Sequence, residues 1–340
     1  MAWVAGDQLQ DGKYTVEKEL GRGRSGITYL VTNRNSDRLV IKTLNDDLLQ
    51  ALNQTERARL EKMFYDEAFK LRGCKHNHIV QIIELFREGE YPCLVMEYLG
   101  EDSLANLRPA ILSEQDALRY IQQIGEALIV VHNNGLIHRD VRPENILLRK
   151  RDGNLEAVLI DFGLALDFNH ILTTSRTQET SAGFTPSELC TKNTIVKPYS
   201  DVYSLAATLY KLLTGRTPVD AVKRKLNDEH LVSPKEYNRH ISDRTNTAIL
   251  TGMQLDPKQR SQSMREWLDL LGLTQPETTV TSNTKSNWER NIQIWGVIIA
   301  AIAAIGTLLS GIVGWIPILK TSPSPSPSLL SPSSPSSQTP

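Results

Sequence analysis

The sequence has few cysteines, and they are not arranged in pairs. Only Cys74, Cys93 and Cys190 occur among 340 residues, and no two of them form a CxxC motif. A disulfide framework or a zinc knuckle needs paired or closely spaced cysteines, so neither is indicated. We expect reduced, partly buried thiols.

The chain also lacks a charge excess and an N-terminal export signal. Its 38 basic and 39 acidic residues leave a formal net charge of −1, so no overall field favours nucleic acid as a partner. Residues 1–7 contain neither the basic stretch nor the apolar run of a signal peptide. We therefore expect the N-terminus to remain in the cytoplasm.

The hydrophobic pattern changes along the chain. Strand-like alternation extends from Tyr14 to Thr43, and helical periodicity follows from about Gln54. This order, mostly β and then mostly α, predicts an α+β fold. Residues 274–291 are rich in Thr, Ser and Asn, which predicts a flexible juxtamembrane linker after a domain that ends near Leu273.

A long apolar run follows the predicted linker. Residues 292–319 carry no charge, and the run exceeds the roughly 20 residues that span a bilayer. Trp295 and Trp315 would lie roughly 30 Å apart along one helix, at opposite membrane interfaces. We predict a transmembrane helix here, with a buried core helix as the alternative, and a disordered Ser/Pro-rich tail at 320–340.

Three glycines near the N-terminus form a GxGxxG pattern. Gly21, Gly23 and Gly26 alone are a weak signal, because dinucleotide-binding folds share the pattern. In those folds the glycines open a helix, and an acidic residue follows about 20 positions later. Here strand-like segments flank the glycines, and Lys42 stands at the later position. The context favours a hairpin that lies over phosphates.

Lys42 ends a short apolar run that predicts a strand with its ammonium facing a pocket. In the next predicted helix, Glu67 shares an apolar face with Phe64 and Leu71. Because an isolated buried carboxylate is destabilising, we predict an ion pair between Lys42 and Glu67. The alternative is an unrelated amphipathic helix with Glu67 at the edge of its apolar stripe.

Two motifs in the second half are far more specific. Residues 137–148 read IHRDVRPENILL, and residues 159–163 read LIDFG. HRDxxxxN followed by DFG places a base, a metal-binding amide and a metal-binding acid in a fixed order. The chain thereby resembles the eukaryotic-like (Hanks-type) bacterial serine/threonine protein kinases over residues 10–273. The resemblance implies a two-lobed protein-kinase fold, with a β-rich N-lobe that carries one regulatory helix and an α-rich C-lobe, after an N-terminal extension at 1–9.

The resemblance implies ATP as the phosphoryl donor and Mg²⁺ as the metal, with Mn²⁺ as a substitute. Lys42 would hold the α- and β-phosphates, and Asp140 would accept the proton of the substrate hydroxyl. Arg142 stands where related kinases usually have lysine, so a planar guanidinium replaces a point charge near the γ-phosphate. The predicted catalytic residues are Lys42, Glu67, Asp140, Arg142 and Asn145, and the predicted metal ligands are Asn145 and Asp161.

The resemblance also implies the nucleotide site. Met96 takes the gatekeeper position, and the backbone of Glu97 and Leu99 would face the adenine edge. Ser25 and Thr28 depart from the aromatic residue and the valine that related kinases usually have. The predicted ATP-binding residues are Gly21, Arg22, Gly23, Arg24, Ser25, Gly26, Thr28, Val40, Lys42, Met96, Glu97 and Leu99.

An activation segment is implied for residues 161–188. Its candidate autophosphorylation sites are Thr173, Thr174, Ser175 and Thr177, with an unregulated Thr-rich loop as the alternative. His138 is expected to pack within the catalytic loop rather than act as a base. Structural roles are implied for Arg139 as a phosphate receptor, for a Glu188–Arg260 ion pair, and for Asp201 at the start of the large central helix of the C-lobe.

These features predict a membrane-anchored protein serine/threonine kinase that phosphorylates proteins. Its kinase domain would be cytoplasmic and its C-terminal tail extracytoplasmic. Small residues recur every four positions at Gly306, Ser310 and Gly314, a spacing that would let two copies of the span pack as a homodimer in the bilayer. The alternatives are a membrane-anchored pseudokinase scaffold and a small-molecule phosphotransferase.

Overall fold

An antiparallel sheet forms most of the N-lobe. The computed structural model describes residues 3–23, 26–162, 183–191 and 194–274. Six strands pair in the order β1-β2-β3-β4-β6-β5. They are β1 (Gln8–Leu9), β2 (Tyr14–Arg22), β3 (Gly26–Asn33), β4 (Arg38–Leu44), β5 (Ile82–Glu88) and β6 (Tyr91–Glu97).

The residues before the glycine-rich segment are part of this lobe. Gln8 and Leu9 pair with Thr15 and Tyr14 of β2. Trp3 packs beside Tyr29, with 5.1 Å between the ring centroids. The N-terminal segment therefore covers one face of the sheet.

Helix α2 is the long helix of the N-lobe. Helices α1 (Asp46–Ala51) and α2 (Gln54–Gly73) follow β4. Asn53 and Glu56 form a reciprocal capping box that starts α2, because each side chain accepts from the other residue's backbone N–H. The apolar face of α2, which includes Phe64 and Leu71, is buried, as the periodicity predicts.

The C-lobe is mainly helical. Its helices are α3 (Glu114–Asn133), α4 (Pro198–Thr214), α5 (Ala221–Leu226), α6 (Pro234–Tyr237), α7 (Asp243–Gly252) and α8 (Met264–Leu271), and a hairpin is formed by β7 (Ile146–Arg151) and β8 (Asn154–Leu159). Helix α4 is buried along most of its length. A Cβ at Gly125 would lie 2.7 Å from the Leu268 side chain, so glycine allows α3 and α8 to approach closely.

The predicted change from β to α structure is confirmed, and so is the two-lobed architecture. Among the helices that the structure describes, none has the length and apolarity required to cross a bilayer. The predicted linker beyond Thr274, the transmembrane helix at 292–319 and the tail at 320–340 lie outside the described residues.

Candidate active site

A cleft of about 340 Å³ lies between the N-terminal sheet and the C-lobe. Thr28 reaches it from β3, Val40 from β4, and Ile160 from the C-lobe. Such an apolar-walled cleft with a few polar groups is typical of a small-molecule site. The predicted ATP-binding residues that line it are Gly21, Thr28, Val40, Met96, Glu97 and Leu99.

The glycine-rich segment closes as a hairpin at the edge of the cleft. The Gly23 N–H donates to the Gly26 carbonyl at 2.9 Å. A Cβ at Gly26 would lie 2.7 Å from the Thr43 carbonyl oxygen, so a side chain would force the strands apart. Arg22 forms ion pairs with acidic side chains instead of lining the cleft. Two predicted residues lie outside the described part of the chain, Arg24 and Ser25.

The segment after β6 has unpaired backbone groups beside the cleft. Within the described residues, neither the N–H nor the carbonyl of Leu99 has a hydrogen-bond partner. The Glu97 N–H is already bonded to the Gln81 carbonyl at 3.1 Å. Leu99 therefore offers one donor and one acceptor, which fits the edge of a purine base.

Lys42 and Glu67 contact partners other than each other. The Lys42 ammonium lies 3.0 Å from Asp161 Oδ1 and 3.5 Å from the Phe162 carbonyl oxygen. Glu67 lies 3.6 Å from the Arg139 guanidinium. The predicted Lys42–Glu67 ion pair is wrong for this conformation, because each of the two charges is neutralised by a different nearby group.

Asp161 is held as a charged carboxylate facing Lys42. The Lys42 ammonium lowers the pKa of this carboxyl below its usual range and outweighs burial, which raises it. The backbone of Asp161 has a φ of 57°, a left-handed conformation that is uncommon for residues other than glycine. The next residue, Phe162, packs against the His138 ring at a centroid distance of 4.6 Å. These contacts fix the direction of the carboxylate.

Asp140 and Asn145 are joined directly. The Asn145 side-chain amide donates to the Asp140 carbonyl at 2.8 Å and to Asp140 Oδ2 at 2.9 Å. With both hydrogens so engaged, its amide oxygen has no partner among the described residues. Mg²⁺ prefers oxygen ligands such as amides and carboxylates. The Asn145 oxygen and the Asp161 carboxylate therefore fit a divalent cation.

A buried carboxylate is bonded to the backbone at the start of the catalytic loop, residues 138–145. Asp201 is completely buried and accepts from the backbone N–H groups of His138 and Arg139, each at 2.9 Å. It also lies 2.8 Å from His132 Nε2. Burial alone would raise the pKa of Asp201, but the hydrogen bonds from His132 and His138 hold it below its usual range.

The Arg142 guanidinium is oriented by its neighbours. Its Nε donates to Glu144 Oε2 at 2.7 Å, and it lies over the Phe184 ring at 6.0 Å from the centroid. An acid on one edge and an aromatic ring on one face restrict a planar group more than they would restrict an ammonium. Arg142 is therefore positioned by Glu144 from its own loop and by Phe184 from the end of the predicted activation segment.

The end of the predicted activation segment is fixed in the C-lobe. Arg260 and Glu188 form a bidentate ion pair, with distances of 2.6 and 3.0 Å. Both side chains are almost completely buried. Ser200 donates a further hydrogen bond to Glu188 at 2.9 Å. The predicted phosphorylation candidates at 173–177 lie outside the described residues.

The comparison with protein families shows which family the chain belongs to. Residues 14–272 match the protein kinase domain family, and these residues make up more than half of the chain.

The chain belongs to the protein kinase family.

Curated relatives of this kinase domain are found in bacteria. The chain is 31% identical to the serine/threonine-protein kinase Pkn2 of Myxococcus xanthus, over 77% of this chain and 32% of the relative. It is 30% identical to the serine/threonine-protein kinase PknA of Nostoc sp., over 78% of this chain and 48% of the relative. The chain thus spans about a third to a half of the length of these relatives.

Solved structures share the fold. The apo form of PpkA-294 matches with a TM-score of 0.64 at 22% identity, covering 79% of this chain and 99% of that chain. The PknI kinase domain of Mycobacterium tuberculosis matches with a TM-score of 0.58 at 24% identity, covering 80% of this chain and 99% of that chain. At these identities the likeness shows the two-lobed kinase fold alone.

Two residues of the kinase site were not predicted. Glu144 stands two residues after Arg142 and has the opposite charge. That short spacing could have predicted the bond between the two side chains. His132 is 69 positions before Asp201, and no local pattern marks it, because only the packing of α3 against α4 brings the two together.

His138 gives the kinase domain a specific pH dependence. The ring is completely buried, and burial lowers the pKa of its imidazole. Its Nδ1 accepts from the Asp140 N–H at 3.3 Å, and its Nε2 lies 2.9 Å from the Ile160 carbonyl. The neutral ring, protonated on Nε2, satisfies both contacts.

The expected result is a loss of stability in mild acid. Because the unfolded chain binds this proton with a pKa near 6.5, the free energy of unfolding should fall below that pH by up to about 1.4 kcal/mol per pH unit. His138→Gln should make the dependence shallower between about pH 6.5 and 5, since glutamine does not titrate. Urea unfolding at a series of pH values measures both slopes. Equal slopes for the two proteins would contradict the prediction.

Proposed function

We propose that the chain is an ATP-dependent protein serine/threonine kinase, which transfers the γ-phosphate to serine and threonine hydroxyls of proteins. The observation that carries the proposal is the joined pair of Asp140 and Asn145, together with Asp161, which lines the cleft and forms an ion pair with Lys42. Nothing in this arrangement requires a covalent enzyme intermediate, which agrees with phosphoryl transfer by positioning and charge neutralisation.

The chain's own side chains have distinct roles in this proposal. Leu99 would bind the purine edge, and Lys42 would bind phosphate oxygens. Asp161 and Asn145 would hold Mg²⁺, which supplies positive charge to the phosphates when bound. Asp140 would orient the substrate hydroxyl and accept its proton, because its carboxylate is fixed by Asn145 and is partly accessible.

A pseudokinase scaffold is the second candidate, and one observation favours it. Lys42 is bound to Asp161 and Glu67 to Arg139, so the ion pair expected to steady the phosphate-binding lysine is not formed in this conformation. A catalytic kinase would have to exchange these partners during its cycle. A scaffold would have no need to do so.

Labelled nucleotide distinguishes the two candidates. The purified full chain in detergent, with Mg²⁺ and γ-labelled ATP, should label a generic protein substrate such as casein on serine or threonine. Asp161→Asn should lower the labelling rate by about 10²-fold or more. The substitution removes a carboxylate that would hold Mg²⁺, and with it positive charge at the phosphates. Nucleotide binding by the wild type without any labelling would support the scaffold instead.

Autophosphorylation within the activation segment is part of the proposal. The Arg139 guanidinium, which lies 3.6 Å from Glu67 in this conformation, would exchange that partner for a phosphate, because guanidinium groups bind phosphate oxygens well. Mass spectrometry of the wild-type protein after incubation with ATP is expected to find phosphate among Thr173, Thr174, Ser175 and Thr177. Full activity of a variant with all four changed to alanine would count against a regulatory role.

We also propose that residues 292–319 anchor the kinase in a bilayer, with the kinase domain in the cytoplasm. The support is the uncharged length of this run and its flanking tryptophans. Deleting 292–340 is expected to move the protein from the membrane fraction to the supernatant.

Replacing Gly306 and Gly314 by leucine should weaken a homodimer formed through the span, as measured by FRET in vesicles.

A further inference from the structure

A wide basic groove lies on the N-lobe side of the C-lobe hairpin, outside the proposed catalytic machinery. It encloses about 910 Å³ between the segment that follows α2 and strand β7. Of the residues that the structure describes, Val80 and Glu97 alone line both this groove and the nucleotide cleft. We call it the basic groove.

Positive charge is concentrated in the two segments that form its walls. Residues 68–83 and residues 145–151 each contain three lysines or arginines and no aspartate or glutamate. The cations that line the groove are Arg72, Lys75, Arg149 and Arg151. This is a strong local excess in a chain whose net charge is −1.

Three of these cations are available to a ligand. Arg149 is already neutralised, because it lies 3.6 Å from Glu97 and 3.3 Å from Glu156. In the part of the chain that the structure describes, by contrast, Arg72, Lys75 and Arg151 have no acidic partner within ion-pair distance. All three are exposed at the surface. Their charge is therefore directed to the solvent and to whatever binds there.

The groove is also preorganised. Arg149 Nη2 donates to the Asn77 carbonyl at 2.7 Å, which ties the hairpin to the opposite wall. The backbone of His78 and Val80 is bonded to Leu159 at 2.9 and 3.0 Å. A rigid wall loses little conformational entropy when a ligand binds.

The lining is not purely polar. Ile83 lines the groove and is 39% exposed, whereas Ile79 and Ile82 are buried beside it. An exposed apolar side chain in a groove that cations also line suits a ligand that carries both carboxylates and apolar side chains. A protein segment has this combination, and an extended backbone would place the two kinds of side chain alternately.

Other anionic ligands fit less well. Among the described lining residues there is no Phe, Tyr or Trp on which the bases of a single-stranded nucleic acid could stack. A membrane surface would contact the exposed cations but would leave the concave apolar lining between them unfilled. The combination of shape, charge and apolar content therefore favours a peptide.

We propose that the basic groove binds an extended acidic segment of a protein partner that also carries apolar side chains. The inference goes beyond the proposed phosphoryl transfer and does not depend on it, since binding requires no catalysis. The partner can be a substrate or a regulator, provided that it has such a segment.

Fluorescence anisotropy tests the proposal with the full chain in a neutral detergent. The probe is a short fluorescein-labelled peptide of glutamate and leucine, which is expected to bind saturably and to weaken steeply with added salt. Reversing three groove charges should raise its Kd by about tenfold or more. The variant is Arg72→Glu, Lys75→Glu and Arg151→Glu.

A matched control variant makes the same change of net charge elsewhere, on exposed residues of the C-lobe. Its substitutions are Lys223→Glu, Lys225→Glu and Arg239→Glu. It should leave the Kd within about twofold of the wild type if binding is local. A neutral variant with glutamine at the three groove positions should show an intermediate Kd, and circular dichroism at matched concentration checks that each protein is folded.

Several outcomes would overturn the proposal. These are no saturable binding by the wild type, an equal loss in the groove and control variants, or tighter binding of a lysine–leucine peptide. Tighter binding of a single-stranded oligonucleotide or of phosphatidylserine vesicles would reassign the groove to another ligand. Because catalysis is not measured, a failure here leaves the proposed kinase activity unaffected, and the reverse also holds.

Discussion

Replacing Asp140 with asparagine is expected to slow phosphoryl transfer on the order of 10²- to 10⁴-fold without unfolding the domain. In the proposed mechanism this carboxylate takes a proton from the substrate hydroxyl, and asparagine cannot accept one. Its shape is nearly the same, however. The amide oxygen of the new side chain can still accept the bond that Asn145 donates to Asp140 Oδ2 at 2.9 Å.

The measurement is the initial rate of γ-phosphate transfer to a protein substrate at saturating ATP. Nucleotide affinity should stay within about threefold of the wild type, because in the described part of the chain Asp140 does not line the cleft and Lys42 is bonded to Asp161 and Phe162. Asp228→Asn is a matched control, since Asp228 is exposed and its φ of 54° suits asparagine. An Asp140→Asn enzyme of normal rate would remove Asp140 from the mechanism.

Replacing Arg260 with methionine is expected to lower the free energy of unfolding by about 3–5 kcal/mol. The substitution would leave the Glu188 carboxylate buried without its bidentate partner. It would also remove the donors to the carbonyls of Gln254 and Leu255, at 2.7 and 3.2 Å. Among the described residues, Ser200 alone would remain bonded to the Glu188 carboxylate, and one neutral hydrogen bond is too little to replace two charged ones.

Denaturant unfolding followed by tryptophan fluorescence measures this loss, because Trp267 lies in the core of the C-lobe. Adding Glu188→Gln to Arg260→Met should recover part of the stability, since the buried charge is then gone. The exposed pair of Lys62 and Asp66 is the control. Lys62→Met should change the free energy of unfolding by less than about 1 kcal/mol, and an equal effect of the two single substitutions would refute the argument.

The order of elements and the site motifs were predictable because their signals are local. Alternation in Tyr14–Arg22 and periodicity in α2 follow from which side chains must be buried. The catalytic loop and the DFG segment are short, so that their residue types and spacing specify a chemistry without reference to the rest of the chain. The Glu188–Arg260 ion pair, which the structure contains, was implied by the family resemblance instead, because 72 positions separate the two residues.

The choice among partners of opposite charge was not predictable. Glu67 and Asp161 were both candidate partners for Lys42. The sequence pattern favoured Glu67, whereas the structure pairs Lys42 with Asp161. The energy difference between alternative ion pairs depends on distances and local dielectric, and neither is encoded by spacing along the chain.

The sequence by itself determined the resemblance to the kinase family, the spacing of the HRDxxxxN and DFG motifs, and the uncharged run at 292–319. The tertiary structure alone decided which carboxylate Lys42 binds, that His132 and Asp201 together support the catalytic loop, and that cations from two distant segments line one groove. The physical reason is the distance over which each signal acts. Hydrophobic periodicity and motif spacing involve residues that are close in the sequence. Ion pairs and surface charge clusters depend on distances that exist only after the chain has folded.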